Sequence, residues 1–126
     1  MLSVQLVDEV RALCEEGLTA SLTEVDGFAN VEIAQYPVEY QHYNKTSVCL
    51  LLKLPLSYPN GKPDMFWVNQ DFLLKDGRVP RSAEVVEACL GQPRRRFSWH
   101  LSSWNPGADN LRTFLEFINN RLAKPE

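Results

Sequence analysis

An α+β domain, with helices packed on an antiparallel sheet, is the fold class this sequence predicts. Three observations carry that expectation. Apolar residues recur at helical spacing near both ends of the chain, residues in the middle alternate with a period of two, and short Pro-, Gly- and Asn-containing links separate the alternating runs. The order is helix, antiparallel meander, irregular segment, helix.

Leu6, Val7, Val10, Leu13 and Cys14 share one helical face, with Asp8, Glu9, Glu15 and Glu16 on the others. The spacing predicts an amphipathic helix over residues 3–16, stopped by Gly17. Cys14, on the side of Val7 and Val10, is expected to pack in the core. From Val31 the period becomes two: Val31, Ile33 and Gln35 alternate with Glu32, Ala34 and Tyr36 until Pro37 ends the strand. In residues 46–54, Val48, Leu50, Leu52 and Leu54 form one face of a second strand, with Ser47, Cys49 and Lys53 on the other. Cys49 is read as structural, and Asn44-Lys45 as the turn before this strand.

Residues 54–63 form a proline-rich connection into an aromatic strand at 65–68, and Asp76-Gly77 marks a turn after 72–74. Residues 78–95 look irregular, apart from a short helical candidate at 82–90. The Arg94-Arg95-Arg96 run is expected to be solvated. At the end, Asn105 is expected to cap a helix with Pro106 in its first turn. Leu111, Phe114, Leu115, Ile118 and Leu122 supply that helix's apolar stripe. Leu50, Leu52, Leu54, Trp67, Leu111, Leu115 and Ile118 are expected in one core.

Composition narrows the function. A chain of 126 residues, 44% hydrophobic and 23% charged, suits a single domain over 1–126. A net charge of −3 argues against nucleic acid and anionic membrane as partners. The longest apolar run, residues 48–52, is far short of the ~20 residues a bilayer needs. No signal-peptide pattern opens the chain, and three cysteines without zinc-like spacing fit a reducing compartment, so a cytoplasmic location is expected. There is no glycine-rich phosphate loop, no GxSxG elbow and no paired histidines at metal spacing. The expectation is therefore no cofactor and no metal.

Two segments carry a resemblance. Residues 54–63, LPLSYPNGKP, run from one strand into another, and Trp104-Asn105-Pro106 precedes an apolar helix. Both are similar to landmarks of the ubiquitin-conjugating (UBC) fold, the "YPxxxP" passage and the "WxP" helix start. Pro63-Asp64-Met65-Phe66-Trp67-Val68, the element Ser98-Trp99-His100, and the run from Trp104 to Leu111 more closely resemble the prokaryotic UBC-like family E. The resemblance implies a UBC-like antiparallel meander flanked by an N-terminal and a C-terminal helix. It also implies a role in bacterial ubiquitin-like conjugation beside a ThiF-like activating enzyme, a ubiquitin-like protein and often a JAB-type peptidase. Antiphage defence belongs to the same implied company.

The chain departs from the UBC pattern at the active position. Val68-Asn69-Gln70 stands near the place of the "HPN" tripeptide, and Arg96 stands eight residues before Trp104, where the familiar enzymes keep cysteine. Three residues compete as nucleophile. Ser98 is two residues from His100, and in an extended segment residues two apart face the same way. A serine needs such a base, because its hydroxyl alone is a poor nucleophile. Cys89 has better intrinsic chemistry but lies in the helical candidate, where an inert buried thiol is commoner. Ser82 suits an N-cap before Glu84. His100, beside Trp99 and Trp104, can equally serve to hold the segment in shape, and Asp109 to accept hydrogen bonds at the helix start. The expected function is a carrier that takes the modifier's C-terminal carboxyl as an ester on Ser98 with His100 assisting. A catalytically silent UBC-like binding module and a thioester carrier through Cys89 are the alternatives.

Overall fold

The computed structural model describes residues 2–125. The two terminal residues of the expected 1–126 domain lie outside it.

Helix α1 spans Val4–Glu15. Ser3 caps it, its hydroxyl accepting the Leu6 N–H at 3.0 Å. Gly17 ends it at φ +101°, with its N–H on the Cys14 carbonyl and the Leu18 N–H on that of Leu13. Leu6, Val10 and Leu13 are the buried line. Cys14 is not in the core, contrary to expectation: it lies one 100° step round from Leu13 and is exposed, its thiol donating to the Ala20 carbonyl at 3.2 Å.

Six strands follow in one sheet: β1 (Thr19–Val25), β2 (Phe28–Pro37), β3 (Ser47–Pro55), β4 (Phe66–Asn69), β5 (Val85–Cys89) and β6 (Gln92–Phe97). Their spatial order is β1-β2-β3-β4-β6-β5, every pair antiparallel. Strands β2, β3 and β4 form the expected meander, and β5 returns as an edge strand outside β6. Strand β1 was not expected. It joins β2 through Asp26-Gly27, both at positive φ, the conformation of a tight hairpin turn.

Strand β2 keeps its alternation only to Ile33. Gln35 adopts φ +55° and the register to β3 shifts between Ile33 and Tyr36. This bulge turns Tyr36, rather than Gln35, into the core, where its hydroxyl donates to Asn119 Oδ1 of the C-terminal helix at 2.8 Å.

The helical candidate at 82–90 is also corrected. Ser82 stands at φ +65° and caps nothing; its own N–H donates to Glu84 Oε1. Residues 85–89 are strand β5, hairpinned to β6 through Leu90 (φ +51°) and Gly91 (φ +77°). Cross-strand pairing overrides the helix propensity of Glu84, Glu87 and Ala88.

The arginine run is a strand rather than a solvated patch. Arg94, 4% exposed, donates to Glu32 at 2.5 Å and to the Cys89 carbonyl at 3.1 Å. Arg95 points to the other face, donating to the Gln70 and Ala83 carbonyls at 3.0 and 2.7 Å. Alternation places the three guanidinium groups on opposite sides of the sheet.

Helix α2 spans Leu111–Leu122 and begins later than expected. Its cap is Asn110, in a capping box with Thr113. Asn105 instead opens a preceding turn, its carbonyl accepting the N–H groups of Ala108 and Asp109, while Asp109 Oδ2 accepts the Asn105 N–H at 2.7 Å. The apolar stripe of α2 packs with that of α1 onto the inner sheet face, where Leu50, Leu52 and Leu54 meet Leu111, Leu115 and Ile118. Trp67 leaves that expected core, because it alternates with the inward Phe66 and Val68. It forms a second cluster on the outer face with Leu51, Cys89 and Met65.

Candidate active site

Ser98 follows directly on β6, and alternation sets its side chain on the face that carries Arg96 and Trp67. The half-buried Ser98 hydroxyl accepts a hydrogen bond from Arg96 Nε at 3.0 Å. Its N–H donates to the Ser82 carbonyl at 2.8 Å, so the link before β5 fixes the backbone at this point. Arg96 is braced in turn. Its Nη1 lies 3.6 Å from Glu87 Oε1, and the same oxygen accepts the Trp67 indole N–H at 2.7 Å.

His100 lies two residues on, outside the strand. Its Nδ1 is 2.8 Å from Asp64 Oδ2, just before β4, and the ring is largely exposed. Ser98 and His100 share no hydrogen bond with one another. The carboxylate makes Nδ1 the protonated nitrogen and leaves the Nε2 lone pair free to accept a proton.

The surrounding loops are tied down from the helix side. Trp104 Nε1 donates to the Pro59 carbonyl at 2.8 Å, joining the WNP segment to the YPNGKP connection. Tyr58, buried under Trp104, donates to Glu9 Oε1 at 2.5 Å, and that oxygen also accepts the Leu111 N–H at 2.9 Å. Burial and the neighbouring Glu9 carboxylate push the Tyr58 phenol far above its usual range. One carboxylate of α1 thus holds the proline-rich loop and the start of α2 together.

The other candidates stand apart. Cys89, 4% exposed, is packed against Leu51 and Trp67. Ser82 touches the site through its backbone alone. Beside Asp64, on the outer face, a hollow of about 340 Å³ is walled by Phe28, Pro55, Met65 and Trp67, with Lys53 and Lys62 at its edge. No group of three or more His, Cys, Asp or Glu among the described residues could hold a metal ion.

Sequence reasoning missed Asp64, Glu87 and Arg96. The signal for Arg96 was present, since the rule that set Ser98 and His100 on one side applies equally to Arg96 and Ser98. Asp64 and Glu87 become visible only through strand register.

No curated protein and no solved structure matches the chain. Residues 6–125 match the family model of prokaryotic E2 family E, so nearly the whole chain is covered, and this protein belongs to that family.

Proposed function

We propose that this chain carries a ubiquitin-like modifier as an oxygen ester on Ser98, with His100 assisting. Family membership supports a role in UBC-like conjugation. The observation that carries the finer reading is the setting of Ser98: a half-buried hydroxyl at a strand end, hydrogen-bonded to a guanidinium, with a carboxylate-braced imidazole two residues away. Cys89 offers no comparable setting, since its thiol is sealed under Trp67.

The chemistry follows from those groups. A ThiF-like activating enzyme presents the C-terminal carboxyl of a ubiquitin-like protein in activated form. Ser98 Oγ attacks the carbonyl carbon, the bond to the activating group breaks, and the hydroxyl proton passes to His100 Nε2. In the second step an acceptor takes the acyl group, and a JAB-type peptidase would process the modifier or its conjugates. The proposed compartment is the cytoplasm; no helix among the described residues is long and apolar enough to cross a membrane. The separate hydrogen-bond partners of Ser98 and His100 favour a second reading, a silent binding module that holds a modifier without covalent chemistry.

Adduct chemistry separates the readings. With the cognate activating enzyme, its modifier and ATP, an adduct should form that survives reductant and falls apart in mild alkali. Ser98→Ala should abolish it, and His100→Ala should slow its formation by ~100-fold, the scale of general-base assistance. A thiol-sensitive adduct mapping to Cys89 would overturn the serine assignment. No adduct with an active cognate partner would leave the binding module.

A further inference from the structure

An oxygen ester has one chemical weakness as a carrier linkage. When an amine attacks it, the departing group is a serine alkoxide, far more basic than a thiolate and correspondingly slower to leave. A carrier built on serine therefore needs a donor aimed at the serine oxygen itself, in addition to any donor aimed at the carbonyl oxygen.

We propose that Arg96 is that donor, a catalytic residue that stabilises Ser98 Oγ as it leaves. The inference rests on Ser98 being the carrier residue. Arg96 Nε already points at Oγ at 3.0 Å, and the pair share the outer face of β6. The guanidinium is held on other sides as well. Its Nη1 lies 3.6 Å from Glu87 Oε1 on β5, and Glu87 is locked by the Trp67 indole on β4. Only about a quarter of the Arg96 side chain (27%) is exposed, so its charge acts in a partly water-excluded setting. Because Oγ accepts from Arg96, the hydroxyl proton is free to point towards a base.

The balance of the discharge step is simple. The amine lone pair forms a C–N bond to the ester carbonyl carbon, and the carbonyl π pair moves to its oxygen. That pair then returns, the C–Oγ bond breaks, and its electrons end on Oγ. The developing negative charge there is met by the Arg96 N–H, which donates a hydrogen bond and keeps its proton, as a guanidinium does at every accessible pH. The proton shed by the amine ends on Oγ.

The test uses the leaving group as the readout. Wild type, Arg96→Gln and Arg96→Lys are loaded to completion with modifier, freed of activating enzyme, and discharged by hydroxylamine in single turnover. Arg96→Gln should discharge roughly 100-fold more slowly, the usual cost of losing one charge-stabilising donor. Arg96→Lys should fall between, since it keeps the charge and loses the planar donor. In a Ser98→Cys background the linkage becomes a thioester with a good leaving group, and Arg96→Gln should then cost less than about fivefold. Equal slowing in both backgrounds would make Arg96 merely structural, and unchanged ester discharge would sink the proposal outright. Matching thermal melts of loaded and unloaded proteins exclude misfolding as the cause. If wild type forms no ester on Ser98, the serine assignment itself falls and takes this inference with it. An ester whose discharge ignores Arg96 removes the inference alone.

Discussion

Glu9 offers the sharpest test of how the fold holds its loops. Its Oε1 accepts the Tyr58 hydroxyl at 2.5 Å and the Leu111 N–H at 2.9 Å, so Glu9→Ala removes two charge-assisted bonds at once. The two losses are unequal. Leu111 N–H lies beside a surface hollow shared with Glu9 and Asn110, where water can replace the carboxylate. What goes there is the charge–dipole attraction at the α2 N-terminus, about 0.3–1 kcal/mol. Tyr58 is 2% exposed, so its hydroxyl is stranded, at about 1–3 kcal/mol. The expected loss is roughly 1.3–4 kcal/mol, and about half that in Glu9→Gln, which keeps an acceptor. Urea unfolding followed by tryptophan fluorescence at neutral pH measures it, with the slope against urea unchanged. Because the larger part is the stranded hydroxyl, Glu9→Ala should cost at least about 1 kcal/mol less in a Tyr58→Phe background. A loss under about 0.5 kcal/mol, or strict additivity with Tyr58→Phe, would refute the clamp.

Tyr36, Tyr43 and Tyr58 are all held above the ordinary phenol value of 10.0, chiefly by burial. A raised folded-state value means that their contribution is complete below pH 10 and is lost as the unfolded chain ionises first. Stability should fall above about pH 10, by at most about 1.4 kcal/mol per pH unit for each tyrosine, and Tyr58→Phe should make the fall shallower in urea titrations at pH 9–11. The cysteines should divide by exposure: Cys14→Ser should change stability by under about 0.5 kcal/mol, and Cys89→Ser should cost about 1–3 kcal/mol. A thiol reagent should reach Cys14 in the native protein and Cys89 only on unfolding, and the reverse order would contradict the packing.

Both helices, the first half of β2 and most of β3 were legible because each buries mainly one face, so the periodicity survives in the residues, whereas β4, buried on both faces, was legible as a short aromatic run. Strand β1 was not, because only Ala20 and Leu22 pack inward and the rest of it faces water. The hairpin of β5 and β6 hid for a different reason. Its turn, Leu90-Gly91, relies on a leucine at positive φ, which local chemistry does not advertise. An edge strand with exposed Val85 and Val86 has no one-sided alternation, and Glu84, Glu87 and Ala88 made the segment read as a short helix. Tyr36 was misplaced because a single bulge reverses the alternation beyond it, and no composition rule announces that bulge.

The arginine run shows where local reading and site chemistry part. Three consecutive cations look like a solvated patch only while the segment is taken as irregular. Once residues 92–97 are a strand, the pleat must send Arg95 inward and leave Arg94 and Arg96 outward, each needing a partner. Arg94 finds Glu32 and the Cys89 carbonyl, which settles it as a structural ion pair between β6 and β2. Arg96 finds Glu87 at a looser 3.6 Å and the Ser98 hydroxyl at 3.0 Å. Stability alone would be served by closing the Arg96–Glu87 pair as tightly as Arg94–Glu32. Instead the shorter contact goes to a neutral hydroxyl, a weak partner for a guanidinium in the resting protein and a strong one only when that oxygen carries negative charge. An interaction that gains strength as charge develops on Oγ is the kind that lowers a barrier, which is why Arg96, rather than Arg94 or Arg95, carries the mechanistic weight.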